Sequence, residues 1–162
     1  MNLIRQIISF ILPVTVLIII PLTIESNRII RFGWNLILGA ILMLAGLTTM
    51  GLTISSFIRI GKGTLAPWSP TKKIVIVGLY RYVRNPMILG VLIVLVGETT
   101  CIWSIALLTW TLIFFITNTI YFITYEEPGL EERFGCEYLN YKKHVPRWVP
   151  RFTPFKSSTE EK

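Results

Sequence analysis

The run GLYRYVRNPMILG, Gly78 to Gly90, sets aromatics, two arginines and an Asn-Pro break against the start of an apolar stretch. Proline lacks a backbone donor and disfavours helix in the residue before it, so the chain is irregular up to Asn85 and helical after it. Lipid cannot hydrogen-bond free amides and carbonyls. Irregular backbone at membrane depth is therefore tolerated only where protein or a polar ligand satisfies it. A ligand pocket is the first expectation for this segment.

Outward from that run the chain is apolar. It is 52% hydrophobic, its mean hydropathy is +0.62, and it contains no aspartate. Ile7 to Ile24, Phe32 to Ile58 and Cys101 to Tyr125 are free of charge, and each approaches or exceeds the roughly 20 residues of a spanning helix. The first is read as a retained helix, because no small-residue cleavage site follows it. A fourth run, Met87 to Gly97, covers only about 16 Å of a core about 30 Å thick. Extended through Glu98 and turned near Trp103, it becomes one arm of a hairpin with Cys101 to Tyr125 as the other. Glu98 then reaches the far interface.

Charge gives the orientation. Lysine and arginine cluster between the second and third helices (Arg59, Lys62, Lys72, Lys73, Arg81, Arg84) and after the fourth (Arg133, Lys142, Lys143, Arg147 and beyond), while only Arg28 and Arg31 occupy the other connecting loop. The positive-inside rule makes the basic face cytoplasmic. The expected fold is an all-α integral membrane protein with four transmembrane helices, including a C-terminal helical hairpin, and both termini in the cytoplasm. The net charge of +7 is explained by topology, and no nucleic-acid partner is expected. Nothing sets the oligomeric state.

One domain, 1–162, is expected, with residues 1–58 as two scaffold helices and 61–152 as the functional part. Gly39, Ala40, Ala45, Gly46 and Gly51 suit close helix packing in lipid. In Tyr125 to Phe152, Pro128 can open a helix, Leu130, Phe134, Tyr138 and Tyr141 recur at helical spacing, and Pro146 ends it. That predicts a short amphipathic helix at the cytoplasmic interface. Glu126 and Glu127 leave the bilayer just before it, at the depth of Arg81, Arg84 and Asn85. Cys101 and Cys136 fall on opposite sides of the membrane, no metal-ligand spacing exists, and His144 reads as a solvated interfacial residue.

Two ordered blocks, GLYRYVRNP and EEPGLEERFGCEYLNY, resemble the isoprenylcysteine carboxyl methyltransferase family and its phospholipid methyltransferase relatives. The resemblance covers Gly63 to about Pro150. It implies an integral-membrane enzyme that uses S-adenosylmethionine from the cytosol and an acceptor arriving from the lipid. The cofactor residues it implies are Lys72, Lys73, Ile74 and Val75, then Tyr80, then Asn85, Pro86, Met87 and Ile88, with Glu126 at the end of the last membrane helix. Arg84 and Glu127 lie beside the expected position of the reacting atom and are the catalytic candidates; Glu127 is the nearest base for an amine acceptor.

Two positions depart from the family pattern. Asn85 stands where the family has histidine, which keeps hydrogen bonding and removes a titratable ring. Phe122 stands where prenylcysteine-specific enzymes carry an arginine for the substrate carboxylate. A buried carboxylate without a partner is costly, so a different lipophilic acceptor is expected. Two other readings stay open. Asn85-Pro86 followed by Gly97-Glu98 is comparable to membrane sterol-type reductases that use NADPH, and a non-catalytic membrane scaffold would keep the same fold.

Overall fold

The computed structural model describes residues 13–25, 33–60, 74 and 76–155. Lys72, Lys73 and Val75, the loop carrying Arg28 and Arg31, and Lys62 lie outside the described residues. Among the described residues all regular structure is helical. Helix α1 is Thr15–Ile24, α2 is Trp34–Ile60, a single 3-10 turn covers Gly78–Arg81, α3 is Pro86–Ile102 and α4 is Ile105–Tyr121. A wide π-helical turn, Phe122–Glu126, carries α4 into α5, Glu127–Phe134, and α6 is Cys136–His144. Among the described residues two helical segments, Trp34–Ser56 and Ile105–Phe134, are long and apolar enough to cross a bilayer, whereas Thr15–Ile24 and Pro86–Ile102 are shorter. The chain divides into two compact units, Met1–Met50 with Ile88–Ile116, and Gly51–Met87 with Thr117–Lys162.

The first unit is built on glycine contacts. A Cβ on Gly46 would stand 2.6 Å from the Gly90 carbonyl oxygen, and one on Gly97 would stand 2.8 Å from that of Gly39. The glycines are seven apart on each helix, two full turns, so each pair shares one face. Ala40 and Ala45 are exposed and Gly51 meets nothing within 4 Å. The small residues expected to pack thus separate by helical phase into two that do and three that do not. At the hairpin tip Trp103 adopts φ 55°, its amide bonds to Thr99 O at 2.8 Å, and Ser104 caps α4 by accepting from the Leu107 amide at 3.2 Å. The Ser104 hydroxyl donates to Glu25. The tip lies where the sequence predicts it, but the second arm starts at Ile105 instead of Cys101. Glu98 is half-buried, and its Oε2 has no hydrogen-bond partner.

The second unit departs further from expectation. The last apolar helix does not end at Tyr125. The Glu127 amide reaches back to Phe122 O, and the helical path runs on to Phe134. The single amphipathic helix expected from Pro128 to Pro146 is broken at Gly135, where φ is 53°, a conformation that glycine adopts at little cost. Gly78 (φ 54°) opens the 3-10 turn, and a Cβ there would come within 2.9 Å of Ser56 Oγ. Tyr138, Tyr141, Val145 and Phe155 form the core of the unit, with Ile74, Ile76, Leu130 and Phe134 packed against it.

Candidate functional site

The residues from Gly78 to Asn85 are held by the chain's own C-terminal segment. The Arg84 amide donates to Pro146 O at 2.9 Å, the Arg151 amide to Tyr82 O at 3.0 Å, and the Phe155 amide to Arg81 O at 2.9 Å. Arg81 returns a bond from Nε to Phe155 O at 2.8 Å, and the Tyr141 hydroxyl donates to Tyr80 O at 2.7 Å. Buried backbone groups must be paired, and here residues 146–155 pair the Arg84 amide and the Arg81 and Tyr82 carbonyls, Tyr141 pairs the Tyr80 carbonyl, and the Tyr80, Tyr82 and Val83 amides bond within the turn. Of the two means by which irregular backbone can be satisfied, protein and polar ligand, protein supplies these bonds. The sequence signal was available in RWVPRF, Arg147 to Phe152, whose alternating aromatics, prolines and arginines are unlike a solvated tail.

Next to this strapped turn lies a cavity of about 150 Å³ lined by Ile74, Tyr80, Arg84, Asn85, Phe122, Glu126, Glu127, Leu130, Phe134, Tyr138 and Tyr141. Its size falls below the roughly 300–1,000 Å³ of pockets that enclose a drug-sized ligand, so it has room for no more than one end of such a molecule. Four of the expected cofactor residues, Ile74, Tyr80, Asn85 and Glu126, meet here. Pro86, Met87 and Ile88 are not among the lining residues; they form the first turn of α3, and Pro86 is fully buried.

The two adjacent glutamates are in different surroundings. Glu127 is 3% exposed, and its Oε1 accepts from Arg84 Nη1 at 2.8 Å and Arg147 Nε at 2.7 Å while Oε2 faces Lys142 Nζ at 3.1 Å. Lys142 also pairs with Glu131. Arg84 and Glu127, the two catalytic candidates, are therefore brought together as an ion pair, and sequence reasoning missed Lys142 and Arg147 as the other partners. Among the described residues Glu126 makes no hydrogen bond or ion pair. It faces the cavity as an unengaged carboxylate.

The phenols and cations are tuned by these neighbours. Burial, and then the charge of Glu126, pushes the Tyr80 phenol well above its ordinary 10.0. Burial, and then the Glu127 charge, raises Tyr138, and burial raises Tyr141. These rings stay neutral donors at any physiological pH. The hydrogen bond to Glu131 raises Lys142 and that to Glu127 raises Arg147, so both remain charged. His144 is exposed, with Nδ1 2.8 Å from Asn140 O.

Comparison with known proteins agrees with the two sequence blocks. The model of the phospholipid methyltransferase family matches residues 34–137. A curated relative, methanethiol S-methyltransferase 2 of Bradyrhizobium diazoefficiens, is 35% identical over 77 residues, which cover 45% of this chain and 27% of the relative. The chain thus matches about a quarter of that protein's length. No solved structure matches. With the family match spanning α2, the strapped turn, the hairpin and both glutamates, the chain belongs to the phospholipid methyltransferase family.

Proposed function

We propose that this chain is an integral-membrane methyltransferase that uses S-adenosylmethionine and methylates a lipophilic acceptor reaching it from the bilayer. The observation that carries the reading is the cavity, where Ile74, Tyr80, Asn85 and Glu126 converge at positions the sequence resemblance assigns to the cofactor. S-adenosylmethionine, when bound, supplies an electrophilic methyl group on a positively charged sulfur, so the protein's tasks are alignment and exclusion of water. Tyr80, Asn85 and Glu126 would hold it, with Lys72, Lys73, Val75, Pro86, Met87 and Ile88 completing the site. Ile74, Phe122, Leu130 and Phe134 supply an apolar wall that keeps water out.

Arg84 and Glu127 stand closest to the acceptor in this reading. With both oxygens of Glu127 engaged by cations, an acceptor that needs no strong base, such as a thiolate or carboxylate, suits the site better than an ammonium. A small thiol is the second reading for the acceptor, favoured by the similarity to a methanethiol S-methyltransferase. In the proposed topology the chain is one functional domain with four crossings, residues 1–58 as scaffold and 61–152 around the cofactor, with α6 at the cytoplasmic interface and both termini cytoplasmic. The NADPH-reductase reading is weakened by the family match, and Gly97 has a packing role against Gly39.

Transfer of a labelled methyl group to membrane lipid extracts, prenylcysteine analogues, and small thiols and amines tests the proposal. Labelling of lipid fractions is expected. Preferential labelling of small thiols would favour the second reading, and efficient turnover of prenylcysteine would refute the inference from Phe122.

A further inference from the structure

We infer that the outward face of residues 146–155 docks on an anionic phospholipid surface, with Val149 and Phe152 entering the headgroup region and Lys143 and Arg151 meeting lipid phosphates. The inference rests on the membrane reading above and concerns a face outside the cavity. Three observations carry it. The segment is fixed in place, because its backbone pairs with Arg81, Tyr82 and Arg84 and Phe155 is buried in the core of the unit. Yet Val149 is 73% exposed and Phe152 is fully exposed. The segment thus has one face that packs and one apolar face that does not, and ordered apolar side chains of this size gain by leaving water.

The segment also starts at the depth of a membrane boundary. Arg147 Nε donates to Glu127 Oε1 at 2.7 Å and the Trp148 ring meets Phe122 edge-on at 5.8 Å, so both stand where the charge-free run of the last apolar helix ends. On that helix Tyr121 and Tyr125 stack at 6.0 Å and are exposed, as aromatic side chains at a membrane–water boundary are. The third observation is charge of one sign. Residues 138–155 hold Lys142, Lys143, Arg147 and Arg151 and no acid, and the described acids of this unit all precede Tyr138. Lys142 and Arg147 are paired with glutamates. Lys143 is exposed and makes no ion pair among the described residues, and the Arg151 guanidinium bonds only the neutral His144 O and Thr153 Oγ1. Both charges therefore remain open to an anion. Cations beside exposed apolar side chains suit an anionic bilayer surface. An uncharged lipid surface would leave the two cations unmatched, and an acidic protein would not account for the position at the end of the apolar helix.

Reconstitution of the full-length protein into nanodiscs of phosphatidylcholine, alone or mixed with phosphatidylglycerol, tests this. A fluorophore on Thr153→Cys, in a Cys101→Ser, Cys136→Ser background, reports quenching by a lipid-attached nitroxide and by aqueous acrylamide. Strong lipid quenching and weak acrylamide quenching are expected in the mixed bilayer. Lys143→Gln should lower the ratio of seated to free segment about fivefold, and Phe152→Ser should shift the pattern towards acrylamide. Tryptic cleavage after Arg151 in the unsubstituted protein should be slower in mixed discs than in phosphatidylcholine alone, a reading that needs no variant to fold. Acrylamide quenching without lipid quenching in both bilayers overturns the inference and leaves the face to a protein partner. Cleavage at one rate in both bilayers overturns it as well. Failure of the protein to enter nanodiscs at all would overturn the membrane reading beneath it.

Discussion

Arg84 and Glu127, 43 residues apart in sequence, meet through Nη1 and Oε1 at 2.8 Å, and Arg147 reaches the same oxygen from a third segment at 2.7 Å. One carboxylate thus joins the strapped turn, the start of α5 and the C-terminal segment. Its neighbour Glu126 is left facing the cavity, so adjacent residues divide into an anchor and a ligand-facing group.

That division predicts opposite phenotypes for two identical substitutions. Glu127→Gln leaves Arg84 and Arg147 without their counter-charge, and breaking a buried pair in this way costs about 3–5 kcal/mol. The variant should unfold at markedly lower temperature in detergent, followed by fluorescence. Glu126→Gln removes no partner and should unfold close to wild type. A Glu126 variant as unstable as the Glu127 variant would contradict the assignment of roles.

The C-terminal segment is expected to be part of the site, not an appendage. Phe155 is 8% exposed, stacks edge-on against Tyr141 at 5.8 Å and pairs its backbone with Arg81. Phe155→Ala should destabilise by about 3–5 kcal/mol. Limited proteolysis should then cut within 78–85 faster than in wild type; an unchanged pattern would show that the strap does not hold the turn.

Gly46→Val should disrupt the first unit. A Cβ at this position already falls 2.7 Å from Val94 Cγ2 and 2.8 Å from its backbone nitrogen, and the backbone cannot yield as a flexible side chain would. Overpacking of this kind costs about 1–3 kcal/mol or more. Gly51→Ala, with nothing within 4 Å, serves as the control and should not lower the thermal midpoint, because the added methyl meets no atom and alanine favours the helix interior by about 0.5–1 kcal/mol over glycine.

Alkaline pH should weaken the second unit. Tyr80, Tyr138 and Tyr141 all titrate above the ordinary 10.0 in the folded chain because burial disfavours their charged forms. Above about pH 10 the unfolded chain therefore releases protons that the folded chain retains, and stability falls as pH rises. Below that pH the contribution is fully present. Thermal midpoints measured from about pH 8 to pH 11 should decline in wild type, and Tyr141→Phe should reduce the slope. A flat profile in wild type would argue against the burial of these phenols.

Much of this protein was legible in its sequence because the signals are local. Run length and the absence of charge mark the apolar helices and predict a hairpin turn near Trp103, where the helix breaks between Ile102 and Ile105. The Asn85-Pro86 pair predicted the start of α3 through proline's missing donor. Spacing within two short blocks identified the family. What the tertiary structure decided were the matters that depend on which distant groups meet. Pro146, Arg151 and Phe155 pair with the backbone of residues 81–84, and no periodicity encodes a partner some 60 to 75 residues away. The continuation of α4 through a π-helical turn into α5 was hidden because charge at Glu126 and Glu127 looks like the end of an apolar helix. Above all, the two glutamates are chemically identical in the sequence. Only the positions of Arg84, Lys142 and Arg147 around one of them make Glu127 a buried anchor and leave Glu126 to face the cavity, because electrostatic role is set by neighbours in space and not by residue type.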